Sequence, residues 1–408
     1  MSPKSNIKRS LKTQLGNVFT GYYISSVINN RNDLLLHRVD RIDTEYIESA
    51  EILIYNIVSK NIEVIGKTYA VNWQQGALLH WLDDNTVIYN NFKNNHLVTT
   101  LYDVNTQKSI DRPHSFSTVS SEKRLIATVN HEILASIRQS YSYPSLLPYF
   151  TQQDKEAWIK IYDEESNCCA KIGPSDCRII LSLKESEIDL EYLEHPHFNS
   201  TGKFLYFIYR TKTRGGDLSS YLFLFDSEDH ELKLINSTGR ITHCNWASEY
   251  SIISWGGVKD PIDKNFKKSS LAYRCAKRLY KFLPLGNSLV GNTRISKKLT
   301  GDQYCMTQVE KSGLTHKSSA ARLLSKDGHP TLIGNNLITD CYPDKDGIYE
   351  LIHFDVKLNK IIDEIKLIQD KKYIGSGMRC DLHPKFNGKL IIVDRLYSDK
   401  RFCEVYEL

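Results

Sequence analysis

Short runs of alternating or wholly apolar residues, each closed by Asn, Asp, Gly or Ser, recur along the whole chain and in the same order. Asp33–Asp40, Glu51–Val58, Trp158–Asp163, Arg178–Leu183 and Tyr250–Trp255 are examples, and they read as strands ended by turns. A larger unit repeats above that level. In Asn199–Ile235 a turn and a strand lead to a second strand ending in Asp, then a turn and a further strand. The order returns in Gly334–Leu367 and, degraded, from Asn85 to Ile110. One four-stranded sheet cannot bury both of its faces alone, so such units stack on neighbours around an axis. At roughly 50–60 residues per unit the chain holds about seven, which predicts an all-β, seven-bladed β-propeller over 1–408 as a single domain. The last run, Phe402–Leu408, is expected to complete a blade with a strand from the N-terminal region and so close the ring.

Composition agrees with that choice. The chain has 24 Tyr against 3 Met, a bias toward flat side chains that pack well on a pleated surface. No Pro-, Gly- or Ser-rich linker divides it, which argues against two separable domains. Charge singles out one segment. Residues 259–325 carry 14 Lys+Arg and 4 Asp+Glu, a local +10 in a chain of net +5, leaving the remainder at −5. Within it Ser269–Pro284 has Leu271, Cys275, Leu279 and Phe282 on one helical face and Arg274, Lys277, Arg278 and Lys281 on the other. The expectation is a basic, partly helical insertion between blades. Its cationic face suits an anionic membrane surface or a membrane-bound assembly enzyme, or it is simply a solvated face packed on the propeller.

Several classes fall away. The first residues are basic and polar with no apolar core of signal length, and no run approaches a spanning helix. Nine Cys, an odd number with no Cys-x-x-Cys pair, fit reduced thiols better than a disulfide framework, so a cytoplasmic location, peripheral at the inner face of the membrane if the basic segment binds there, is expected. The basic segment lacks the interleaved aromatics of a strand-binding groove, so nucleic acid is not an expected partner.

Four motifs hold more polar chemistry than a blade needs: Thr242–Trp246, Asp327–Thr331, Thr339–Asp344 and Arg379–Pro384. Cys380 and His383, three apart on a loop, can reach one ion, and that pair of residue types suits zinc or another borderline divalent metal. His243 and His329 each precede a strand at equivalent places in successive units, which puts them at the same end of the channel. Asn72, Trp73, Gln74 and Gln75 can hydrogen-bond to and stack on a sugar, although Trp73 fits equally well as a wedge between blades. Arg138–Tyr143 fits either the channel lining, through Tyr143, or a surface loop.

Together, GNVFTGYY at Gly16–Tyr23, NWQQG at Asn72–Gly76, HPHFNSTGKFLYFIYR at His195–Arg210, GHPT at Gly328–Thr331, TDCYPD at Thr339–Asp344 and RCDLHP at Arg379–Pro384 resemble bacterial propellers related to the oligogalacturonate lyases and TolB-like repeats. Many such relatives occur with envelope-polysaccharide genes. The resemblance implies His243 as the base that removes the proton α to a uronate carboxylate and Arg210 as its cationic partner. It implies His329, Cys380 and His383 as metal ligands, with His197 among the saccharide contacts. Lys385 stands where a further histidine is expected, so the ion is either manganese and catalytic or zinc and structural. Tyr141, Tyr143 and Tyr209 are all chemically able to act as acid toward the leaving oxygen.

Three functions follow as expectations. The first is a carbohydrate-active propeller performing β-elimination on a uronic-acid saccharide. The second is a non-catalytic binding or scaffold propeller in cytoplasmic assembly of a surface polysaccharide. The third is a transferase or hydrolase whose carboxylates come from Asp340, Asp344 and Asp381.

Overall fold

The computed structural model describes residues 7–120, 122, 124–150, 157–257, 302–310, 315–321 and 323–408. Among them the strands form seven four-stranded sheets, each antiparallel throughout. In the first blade Asn17–Phe19, Asp33–Val39, Ala50–Asn56 and Ile62–Thr68 lie side by side in chain order. Blades two to six begin with His80–Trp81, Thr118–Val119, Ile188–Phe198, Cys244–Ser248 and Thr331–Ile333. These first strands line the axis. Side chains tie them to the approach of the next blade, with Asn245 Nδ2 donating to Pro330 O at 3.1 Å and Thr331 Oγ1 to Pro384 O at 3.1 Å.

The seventh blade closes the ring. Lys385–Phe386, Leu390–Tyr397 and Lys400–Glu407 come from the C-terminus, and Lys8–Lys12 supplies the fourth strand, Lys8 opposite Glu407 and Lys12 opposite Glu404. The expected closure is therefore present. Because each blade is covered by neighbours on both faces, its middle strands lose the alternation of a half-exposed sheet: Leu34–Leu36 and Phe204–Tyr209 are buried without interruption.

Two expectations are corrected. Arg178–Leu183 is not a strand, since Pro174–Leu181 forms a helix. Pro174 occupies the first turn, the Asp176 carboxylate accepts the Gly173 N–H at 2.7 Å, and Ser182 ends the helix in a left-handed conformation, so local capping outweighs the β-preference of Ile179 and Ile180. Nor is 259–325 wholly an insertion between blades. Asp302–Val309 and Thr315–Ala321 are the third and fourth strands of the fifth blade, pairing outward from Ser251–Gly257. The basic run thus begins inside a blade, after its second strand. The helix expected over Ser269–Pro284 lies outside the described residues.

One departure from blade geometry matters for function. After Phe19 the chain leaves the ladder and rejoins it where Val27 O accepts the Leu35 N–H at 2.8 Å. Between those points Tyr23 Oη bonds the Cys244 backbone of the fifth blade, Tyr22 stacks on His195 of the fourth, and Lys385 of the seventh donates to Gly21 O at 2.8 Å. A segment of the first blade that reaches the fourth and fifth blades as well as the adjacent seventh crosses the axis. Gly21 makes the crossing possible: its φ is +92°, and a Cβ there would lie 2.6 Å from Gln75 O.

Candidate metal and acid–base centre

Three histidines meet in the channel from successive blades. His243 precedes the first strand of the fifth blade, His329 that of the sixth and His383 that of the seventh. Ring centroids are 4.3 Å apart for His243 and His329 and 4.4 Å for His329 and His383. Carboxylates orient two of them. His243 Nδ1 lies 2.9 Å from Asp327 Oδ1, which also accepts Thr242 Oγ1. His329 Nδ1 lies 2.9 and 3.0 Å from the two oxygens of Asp340, and Asp340 also accepts the His329 N–H. With Nδ1 donating to a carboxylate, each ring keeps its Nε2 lone pair for other work. Burial opposes protonation of His329, but Asp340 more than compensates and raises its pKa. Gly328 is required here, because a Cβ would come within 1.8 Å of Asp340 O.

Asp381 completes the group. Its Oδ2 accepts Arg379 Nε at 3.0 Å, while Oδ1 is buried with no hydrogen-bond partner. His329, Asp381 and His383 each offer one ligand atom, and these atoms lie within 4.8 Å of one another. Burial, then His329 and Lys385, push the His383 pKa well down, so its ring is neutral as a ligand must be. Two imidazoles and an otherwise orphaned carboxylate oxygen fit a divalent cation. The loop carrying them is fixed from outside. Gln74 donates to Arg379 O and Gln369 to Cys380 O, both at 2.7 Å, and buried Arg401 donates to Met378 O and Arg379 O.

Cys380, expected as a ligand, is corrected: it lies outside the group that could hold a metal, and Asp381 stands there instead. The Cys380 thiol packs with Phe19, Val71, Trp73 and Leu396, and burial pushes its pKa up to about 12. The Lys385 ammonium is held by Gly21 O and His383 O, close enough to His383 to oppose its protonation.

The opposite wall is ionic and aromatic. Glu194, 1% exposed, bonds Arg210 Nε and lies 3.5 Å from Arg138 and 3.6 Å from His195. Burial would raise its pKa, but Arg210, His195 and Arg138 together hold it down to about 2. Arg210 also donates to Ser220 Oγ at 2.8 Å, so the expected catalytic cation is engaged within the wall. Arg138 is the freer of the two, with 37% of its side chain exposed. Its guanidinium lies 4.6 Å above the Tyr141 ring.

Other expected contacts divide. Gln75 lines a small cavity with Tyr22, Tyr141, Glu194 and His195. Asn72 is spent on its own turn, accepting the Gln74 and Gln75 N–H groups and donating to Ser142 O. Trp73 is the wedge: its Nε1 donates to Thr44 O and Arg401 lies 4.4 Å over its ring. Tyr143 is buried with its hydroxyl on Asn90 and its ring stacked on His131. His197 bonds Tyr206 Oη away from the centre, and His195 reaches the channel instead. A register shift between Glu194 and His197, with φ +55° at His195, re-aims that histidine.

Fold and site together define a seven-bladed propeller whose channel holds a His/Asp group fit for a metal, beside an aspartate-oriented histidine. Among solved structures the chain is similar to an oligogalacturonate lyase from Vibrio parahaemolyticus, with a TM-score of 0.57 and 10% identity over 99% of this chain and 97% of that one. An acylaminoacyl peptidase from Pyrococcus horikoshii matches at a TM-score of 0.47 and 9% identity, over 95% of this chain and 49% of that one. TolB from Acinetobacter baumannii matches at 0.36 and 8%, over 92% and 80%. At these identities the likeness is one of fold. No protein-family model and no curated protein matches the chain. No helix among the described residues is long and apolar enough to cross a membrane.

Proposed function

We propose that the channel is the active centre of a lyase that cleaves a uronic-acid saccharide by β-elimination, with zinc or manganese held by His329, Asp381 and His383. The observation that carries this reading is the position of His243, fixed on Asp327 and 4.3 Å from a ligand ring of that group. Elimination needs a base beside a site that neutralises a carboxylate, because removing the α proton leaves an enolate-like dianion. The bound cation would supply that neutralisation. His243 takes the proton on Nε2, and Asp327 stabilises the imidazolium that results. Tyr342 Oη lies 3.2 Å from Nε2, so substrate must displace that contact. Arg138, which shares Glu194 with Arg210, and Arg379, paired with Asp381, are both partly exposed and offer cationic edges for an anionic saccharide.

The likeness to an oligogalacturonate lyase makes trigalacturonate the first probe. Incubated with protein and added manganese or zinc, it should yield an unsaturated uronate that absorbs in the ultraviolet. His243→Ala should slow this by about 10²–10⁴-fold. Absence of any absorbance change across a panel of uronate oligosaccharides, with either metal, overturns the reading.

A second reading is non-catalytic saccharide binding. It is favoured by the Tyr342 contact on His243, which occupies the nitrogen that a base must keep free. Binding of the same oligosaccharides without turnover, unaffected by His243→Ala, would establish it.

A further inference from the structure

Tyr141, Tyr143 and Tyr209 differ in what their hydroxyls do. Tyr143 Oη accepts from Asn90 at 2.7 Å inside the blade packing, and Tyr209 Oη donates to Glu191 at 2.6 Å. The neighbouring channel tyrosines are also engaged, Tyr22 with His195, Tyr23 with the Cys244 backbone and Tyr342 with His243. Tyr141 Oη has no hydrogen-bond partner among the described residues.

Its position is nonetheless tightly set. Gln139–Tyr141 is a single 3₁₀ turn in the loop between the second and third strands of the third blade. The Tyr141 ring stands edge-on to His195 at 4.7 Å and to Tyr22 at 6.4 Å, with Arg138 over its face. Burial, with Glu194 and Asp381, raises the Tyr141 pKa against the opposing pull of Arg138 and Arg379, so the hydroxyl keeps its proton. Tyr141 is close enough to Tyr342, the contact of the proposed base, to be among the groups that raise the Tyr342 pKa. A positioned O–H with no acceptor among the described residues, beside the Arg138 guanidinium that would stabilise its oxyanion, is equipped to give up its proton during reaction.

We infer that Tyr141 is the proton donor to the leaving oxygen in the elimination proposed above, and the inference rests on that reading. His243 removes the proton from C5 of the uronate, and the electron pair of that C–H bond forms the C4–C5 double bond. The C4–O4 bond breaks with its electron pair on O4, and the Tyr141 O–H proton passes to O4. The Tyr141 phenolate then regains a proton from water and the His243 imidazolium loses one, so no net charge or redox change remains.

Leaving-group dependence tests this. The rate is measured for trigalacturonate, whose leaving oxygen must be protonated, and for a galacturonate carrying a 4-O-(4-nitrophenyl) group, which departs without help. Tyr141→Phe keeps the ring packing and should slow the first by about 10²–10⁴-fold while changing the second by less than about 10-fold. Tyr342→Phe, tested alongside, should leave the ratio of the two rates as in wild type. A Tyr141→Phe protein that melts like wild type but slows both substrates equally, or neither, overturns the assignment alone. A wild type that eliminates neither substrate overturns the lyase reading itself, and the assignment with it.

Discussion

The arc of the channel built by blades five to seven and the arc built by blades two to four start from the same architecture and use it differently. On the first arc the residues just before the innermost strands are His243, His329 and Asp381 with His383; His329, Asp381 and His383 gather one ligand-capable atom each, and His243 turns its second nitrogen to Tyr342 alone. On the second arc the equivalent approach holds Asn72 and Trp73, whose polar atoms are consumed by turns and by blade packing. Its remaining charges, Glu194 with Arg138 and Arg210, are paired inside the wall. A propeller can thus concentrate reactive groups on one side of its axis while the other side provides stiffness and counter-charge.

The largest expected effect breaks the second arc. Glu194→Gln removes a buried anion shared by two arginines and leaves their charge uncompensated, which should cost about 3–5 kcal/mol in denaturant unfolding. A loss below about 1 kcal/mol would mean that the arginines are solvated, and that this wall is not the rigid one. Metal affinity at the first arc should survive in whatever fraction remains folded, because no ligand is touched.

The next effect belongs to the first arc and is smaller. Asp340→Asn keeps the shape but weakens the hold on His329 Nδ1, and loss of such an outer partner typically lowers metal affinity by about 10–100-fold. Zinc or manganese titration by calorimetry reads this directly. Cys380→Ser in the same assay should bind metal as wild type does. Loss of binding in the serine variant and none in the asparagine variant would reverse the ligand assignment.

That pair of variants also marks what was legible in the sequence. The blades were legible because four strands per unit leave a repeat of turns and apolar runs that survives divergence, and because closure by Lys8–Lys12 follows once Phe402–Leu408 is seen to lack a partner. Two of the three residues in the His/Asp group, His329 and His383, lay in motifs singled out by position. The third, Asp381, was missed by one residue for a readable reason: 379–384 is loop, with φ +44° at His383, so no strand or helix period tells which of Cys380 and Asp381 faces the same way as His383. His195 and Tyr141 could not be distinguished from His197 and Tyr143 either, since the members of each pair are two residues apart and so share a face in a regular strand. A register shift decides the first pair and a 3₁₀ turn the second, and neither carries a sequence signal strong enough to place it. Asp327 and Asp340 lay within motifs already singled out, but a carboxylate that orients a histidine is visible only once the fold brings the two together.

The smallest effect separates the arcs by their histidines. On the packing arc His131 is buried against Tyr143, with Nε2 unpartnered and Nδ1 3.3 Å from Ser142 Oγ, and burial lowers its pKa to about 3. No carboxylate rewards protonation there, in contrast to His329 beside Asp340. A histidine whose folded pKa is depressed stays neutral in the native state while the unfolded chain takes up a proton below about pH 6.5. Stability from this residue is therefore complete above that pH and drains away as the pH falls toward about 3. Between pH 7 and 5.5 the loss should be about 1 kcal/mol. His131→Phe, which keeps an aromatic ring against Tyr143, should remove that increment from the pH dependence of unfolding whatever it does to stability at pH 7. An unchanged slope would mean that His131 finds a proton partner in the fold, and would erase this difference between the two arcs.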